Sequence, residues 1–150
     1  MEYRFLLVAV GLTAAAAPGV AANPEYGEGH AAVRLVASAD RLDDTGPVLL
    51  GVEFDIKPGW HIYWKNPGGA GLATDIRWRL PAGMQAETLG WPLPVAFIQS
   101  GDIPGYGYED SVVLAARVRS TGSLPAAAVV GASVSWLACK DVCVLGSAEL

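Results

Sequence analysis

The sequence predicts an all-β chain, an immunoglobulin-like antiparallel β-sandwich, from Asn23 onward. Three observations carry that reading. Apolar and polar residues alternate with period two in five separate runs. Breakers rich in Gly and Pro stand between the runs. No stretch after Asn23 reads as a long amphipathic helix. Short strands of this kind each have one apolar face to bury, and two sheets packed face to face bury them together.

Residues 1–22 read as a secretory signal peptide. Arg4 precedes an apolar run from Phe5 to Ala17, Pro18 and Gly19 break it, and Val20-Ala21-Ala22 offer small residues for cleavage. The run is too short to cross a bilayer core of roughly 30 Å as a helix. Export places the rest of the chain in an oxidising compartment, where disulfides persist. Residues 23–150 then form one domain, opened by a Gly/Pro-containing lead from Asn23 to Gly29.

Residues 31–38 set Val33 and Leu35 against Arg34. Residues 48–56 put Val48, Leu50, Val52, Phe54 and Ile56 on one face, with Glu53 and Asp55 on the other. Residues 74–80 turn Ile76, Trp78 and Leu80 inward and Asp75, Arg77 and Arg79 outward. Residues 111–119 set Val112, Leu114, Ala116 and Val118 against Arg117 and Arg119. Residues 128–137 set Val130, Ala132, Val134 and Trp136 against Ser133 and Ser135. Each is the pattern of a half-buried strand. The turns between them are predicted at Thr45-Gly46-Pro47, Lys57-Pro58-Gly59, Asn66-Pro67-Gly68-Gly69, Pro81-Ala82-Gly83, Pro92-Leu93-Pro94 and Pro104-Gly105. A further strand begins at Ser147, so the sandwich is expected to be truncated in its last strand. The acidic turn of Asp40, Asp43 and Asp44 reads as a solvated loop.

Composition excludes several classes. The 150 residues are 52% hydrophobic and 17% charged, which is too apolar for an intrinsically disordered chain. Gly 18 and Pro 10 interrupt any sustained heptad. Net charge is −5 and no basic patch is visible, which argues against a nucleic-acid partner. There is no G-x-S-x-G elbow, no glycine-rich phosphate loop and no H-E-x-x-H.

The chemistry that remains lies in two sulfurs, Cys139 and Cys143, just after the strand that ends near Leu137. A strand end and a tight turn would bring them together. A bridge closing about five residues contributes roughly 2 kcal/mol in the loop-entropy model, against roughly 4 kcal/mol for one closing about 60. Such a local bridge stabilises a fold relatively little, so a bond that opens and closes is the readier use. Lys140 would favour a Cys139 thiolate and Asp141 would oppose it. Three readings stay open on these residues: a redox pair, a structural disulfide in an interaction domain, and a Cu(I) site on the two sulfurs that could also take His61. His30, His61 and Met84 show no ligand spacing to the pair.

Three stretches together resemble a known family: Gly59-Trp60-His61-Ile62-Tyr63-Trp64-Lys65-Asn66-Pro67-Gly68, Gly105-Tyr106-Gly107-Tyr108-Glu109, and Val134-Ser135-Trp136-Leu137-Ala138-Cys139-Lys140-Asp141-Val142-Cys143. The chain is similar to the N-terminal periplasmic domain of the thiol:disulfide interchange protein DsbD family, in its ScsB-like branch. The resemblance implies an immunoglobulin-like fold with a redox cysteine pair and no other cofactor. It implies electrons arriving from membrane and thioredoxin-like domains of the same or a companion protein. Periplasmic thioredoxin-like proteins would receive them, in cytochrome c maturation or copper tolerance. Carried over by position, Cys143 attacks the partner and Cys139 resolves. An aromatic cap would lie between Phe97 and Tyr108, with Tyr63 near the site. Strand alternation agrees with the last point, since it puts His61 and Tyr63 opposite Trp60, Ile62 and Trp64. Tyr106-Gly107-Tyr108 is expected to be a loop, with Gly105 and Gly107 giving a lid its mobility. Trp136 is expected in the core beneath the cysteines.

Overall fold

The computed structural model describes residues 26–39, 46–122 and 129–150. The expected signal peptide, the acidic turn of Asp40, Asp43 and Asp44, and Ala128 at the head of the last predicted run lie outside these residues. The strands are β1 (Ala31–Ala37), β2 (Val48–Ile56), β3 (His61–Gly68), β4 (Asp75–Arg79), β5 (Met84–Ala86), β6 (Val95–Gln99), β7 (Ile103–Tyr108), β8 (Ser111–Ser120), β9 (Gly131–Cys139) and β10 (Cys143–Glu149). Among the described residues there is no helix.

Two antiparallel sheets form a sandwich. One has the order β1-β2-β8-β5, and the other β10-β9-β3-β7-β6 with β4 also paired to β9. The all-β immunoglobulin-like architecture is therefore as the alternation foretold. Val52, Phe54, Ile56, Val112 and Leu114 of the first sheet meet Ile62, Tyr108, Ala132, Val134, Trp136 and Ala138 of the second in one core. Apart from Ile62, Tyr108 and Ala138, these are apolar positions of the period-two runs, and removing them from water is the main term holding the sheets together. Phe54 and Trp136 touch edge to face across the gap, with centroids 5.6 Å apart. Trp136 is buried as expected, and its Nε1 donates to the Gly29 carbonyl at 2.8 Å. A buried indole N–H needs such an acceptor.

The five predicted runs became β1, β2, β4, β8 and β9. Of the other strands, β3, β5, β6 and β7 cross or adjoin sequences read as breakers. Asn66-Pro67-Gly68 lies inside β3, where the pairing with β7 shifts register between Tyr63 and Gly68. A bulge absorbs the breaker, and Gly68 takes the positive φ of 94° that a side chain would resist. Pro104-Gly105 lies inside β7, between β3 and β6. The strand expected from Ser147 begins already at Cys143. Lys57-Pro58-Gly59 is a turn as predicted, with Gly59 at φ 78° and the Trp60 N–H donating to the Lys57 carbonyl at 2.9 Å.

Candidate redox site

Strand register builds the site. Cys143 of β10 pairs with Cys139 of β9, and Cys139 pairs on its other side with His61 of β3. The three residues form a row across the six-stranded sheet. The adjacent pair, Ile62 and Ala138, is fully buried in the core, so the row faces outward. Lys140, Asp141 and Val142 make the connecting turn, closed by Lys140 N–H donating to the Val142 carbonyl at 3.0 Å. Cys139 and Cys143 are joined as a disulfide, with their Cα atoms 4.1 Å apart.

The two sulfur-bearing residues differ in access. Cys139 is only 2% exposed, whereas Cys143 is exposed on the edge strand. Apolar side chains stand beside it, with Val142 63% and Leu145 69% exposed. The same turn also carries the exposed charges of Lys140 and Asp141.

His61 is enclosed from the other side. Its ring lies against Phe97, with centroids 4.0 Å apart, and meets Tyr63 edge-on at 5.2 Å. Phe97 reaches it by lying over β7, where Gly105 and Gly107 present bare backbone. A Cβ at Gly105 would overlap the Phe97 ring, and one at Gly107 would sit 3.2 Å from it. Tyr63 is fully buried. Its hydroxyl donates to Gln99 Oε1 at 2.6 Å, and His61 Nε2 lies 3.4 Å from the Tyr63 hydroxyl oxygen. Gln99 Nε2 in turn donates to the Ala70 carbonyl at 3.4 Å. Burial pushes the Tyr63 hydroxyl up from its usual range and holds the His61 imidazole below its own.

Several expectations about the surroundings need correction. Tyr106 and Tyr108 belong to β7 and not to a loop. Tyr108 pairs with Ile62 and points to the inner side of the sheet, away from Cys139; Tyr106, two residues earlier on the same strand face, is exposed. Tyr108 is core, its hydroxyl donates to the Pro92 carbonyl at 2.8 Å, and burial raises it to about 12. Gly105 and Gly107 are not hinges; they are the floor on which Phe97 rests. Tyr63 faces outward, as alternation requires, yet it is covered by the segment at Gly71, whose absent Cβ leaves room for the phenol ring. Lys140 is exposed and its Nζ runs beside Gly59, 3.4 Å from where a Cβ would lie. Phe97 and Tyr63 are thus grouped around His61, while Tyr106 and Tyr108 are not. Among the described residues no three His, Cys, Asp or Glu side chains gather as a metal-binding group.

Gln99 is not among the residues the sequence singles out, and His61 enters there only as a Cu(I) ligand and as a neighbour of Tyr63 on one strand face. Gln99 ends the Val95-Phe97-Gln99 face of β6, which was readable as alternation. The pairing of His61 with Cys139 joins strands far apart in the chain, and no local pattern reports it.

The family described as "Thiol:disulfide interchange protein DsbD, N-terminal" matches residues 32–150. The chain belongs to this DsbD N-terminal family. Among solved structures it is similar to the N-terminal periplasmic domain of ScsB from Proteus mirabilis, at 32% identity and a TM-score of 0.62. That match covers 81% of this chain and 45% of the ScsB chain, so the present sequence spans under half of that structure. A comparison with curated proteins gives no match. As a DsbD N-terminal domain, the chain is a thiol–disulfide interchange domain, and the disulfide of Cys139 and Cys143 is its bridge among the described residues.

Proposed function

We propose that the Cys139–Cys143 pair is a periplasmic disulfide carrier that hands electrons to thioredoxin-like proteins. The observation that carries this reading is the unequal access of the two residues: Cys143 is exposed and Cys139 is buried. Exchange proceeds by in-line attack of a thiolate on one sulfur, and a partner can reach only the exposed one. In the reduced domain the Cys143 thiolate attacks the partner's disulfide and a mixed disulfide forms. Cys139 then attacks Cys143, the partner leaves with two electrons, and the internal bridge is restored. Recharging runs the same steps backward, with a thiolate from a thioredoxin-like donor attacking Cys143. The donor domain and a membrane segment would belong to the same or a companion protein, and would tether the carrier to the membrane. Cytochrome c maturation or copper tolerance is the process served. No cofactor is needed beyond the disulfide.

The apolar rim of Val142 and Leu145 supports docking beside the attacked sulfur. Trapping tests the reading. Cys139→Ser should accumulate a covalent adduct with a thioredoxin-like partner through Cys143, and Cys143→Ser should accumulate none. Absence of any adduct in both variants overturns the carrier role.

A further inference from the structure

We infer that His61 is the proton acceptor that activates Cys139 in the resolving half of the exchange, a role that rests on the carrier reading above. The first support is register. His61 and Cys139 are cross-strand partners on one face of the sheet, a relationship that holds Cβ atoms about 4.5–5.5 Å apart. The backbone ladder that pairs them does not depend on the S–S bond.

The second support is a hydrogen-bond chain that selects the tautomer of His61. Gln99 Nε2 donates to the Ala70 carbonyl, which leaves Gln99 Oε1 as the acceptor for the Tyr63 hydroxyl. The Tyr63 proton is therefore committed at 2.6 Å, and its oxygen can only accept from the ring. The 3.4 Å contact with His61 is satisfied when Nε2 carries the proton. Nδ1 is then bare and is the ring's free acceptor. The tilted contact with Phe97, centroids 4.0 Å apart, holds this orientation.

The third support is need. Cys139 is 2% exposed, so a buffer base reaches its thiol poorly, and a buried thiol resists ionisation. Burial keeps the His61 imidazole below its ordinary range, which leaves it neutral and able to accept at neutral pH. The groups around it are few. β9 contributes Cys139, β3 contributes Tyr63, and β6 contributes the uncharged Phe97 and Gln99. Lys65 on β3, Glu109 past the end of β7 and Lys140 past the end of β9 are exposed.

The step balances. In the mixed disulfide the Cys139 thiol gives its proton to His61 Nδ1. The Cys139 thiolate attacks Cys143 Sγ, and the Cys139–Cys143 bond forms. The bond from Cys143 to the partner breaks, and its electron pair leaves on the partner's sulfur. The imidazolium then returns its proton to that thiolate or to water.

Dithiobis(nitrobenzoate) separates the two halves, because the reduced protein displaces one coloured nitrothiobenzoate from the reagent in each. The first phase reads attack by Cys143 and the second reads resolution by Cys139. In the wild-type protein the second phase should level off by neutral pH. In His61→Phe it should fall about 10²-fold relative to the first phase at pH 7 and climb steadily as the thiol ionises in alkali. A matching thermal melt shows that the variant is folded; His61→Gln, which is also no base, answers the same question should the Phe variant unfold. An unchanged second phase and pH profile in the variant overturns the inference alone. A wild-type protein that releases only the first thiolate overturns the carrier reading and the inference with it.

Discussion

The Phe97 ring of β6 lies across Gly105 of β7, in space that a Cβ at that position would occupy. This contact decides how the site is covered. Phe97 shields His61, and through it the flank of Cys139, from a fixed strand and not from a loop. Gly105→Ala should therefore lift the ring. Overpacking of this kind costs about 1–3 kcal/mol. The expected outcome is a lower urea midpoint together with faster reduction of the disulfide by dithiothreitol. Phe97→Ala should accelerate reduction in the same direction. Unchanged reduction rates in both variants would show that Phe97 does not gate the sulfurs.

The bridge itself should stabilise the domain only modestly. It spans a sequence separation of 4, between residues already paired in a ladder. The loop-entropy model rates such a short closure at roughly 2 kcal/mol. The double variant Cys139→Ala, Cys143→Ala should thus remain folded, with a urea midpoint lower by about that equivalent and an unchanged m value. Global unfolding of the double variant would assign the bridge a structural duty that this geometry does not suggest.

How much of this was legible in the sequence follows from the range of the forces involved. The period-two runs of β2 and β8 are local consequences of one buried face, and their inward residues are the ones found in the core. Cys139 and Cys143 were readable because one turn separates them. β3 and β7 were hidden because Asn66-Pro67-Gly68 and Pro104-Gly105 act as breakers in isolation. Neighbouring strands supply pairing and a bulge that override the local preference. The same context inverted the meaning of Gly105 and Gly107, from presumed mobility to close packing under an aromatic ring. The resemblance puts Tyr108 in a cap, but its pairing with Ile62 turns it inward. The His61–Cys139 pair was not legible, because a cross-strand register between distant strands leaves no periodic trace.

Gly146 faces Trp136 across the β9–β10 ladder, and the indole lies over its backbone. A Cβ at Gly146 would overlap the ring, and Gly29, packed against Gly146, meets the same edge of the indole. Gly146→Ala should push Trp136 off its contact with Phe54 and stretch its hydrogen bond to the Gly29 carbonyl. The expected cost is about 1–3 kcal/mol, read as a lower thermal midpoint with altered Trp fluorescence. A fully tolerated Ala would mean that β10 can slide without loss.

His61 should also leave a mark on stability as a function of pH. Its folded pKa is lowered by burial, while in the unfolded chain it returns to about 6.5. The unfolded state therefore binds more protons in this range, and stability must rise with pH across it. The contribution is fully present above the unfolded pKa and is lost as pH falls toward the folded one. The carboxylates give a separate, more acidic limb. Glu53 is lowered by its hydrogen bond to Arg34, and Glu149 by Ser133 and Arg79, so their contributions disappear only as those groups protonate. Urea midpoints of the oxidised protein should accordingly fall in two stages on acidification, the first beginning near pH 6.5. His61→Phe should erase the first stage and spare the second. The oxidised form is the one to measure, because its sulfurs do not titrate. A first stage that survives in His61→Phe would assign it to another group and would place His61 in contact with solvent.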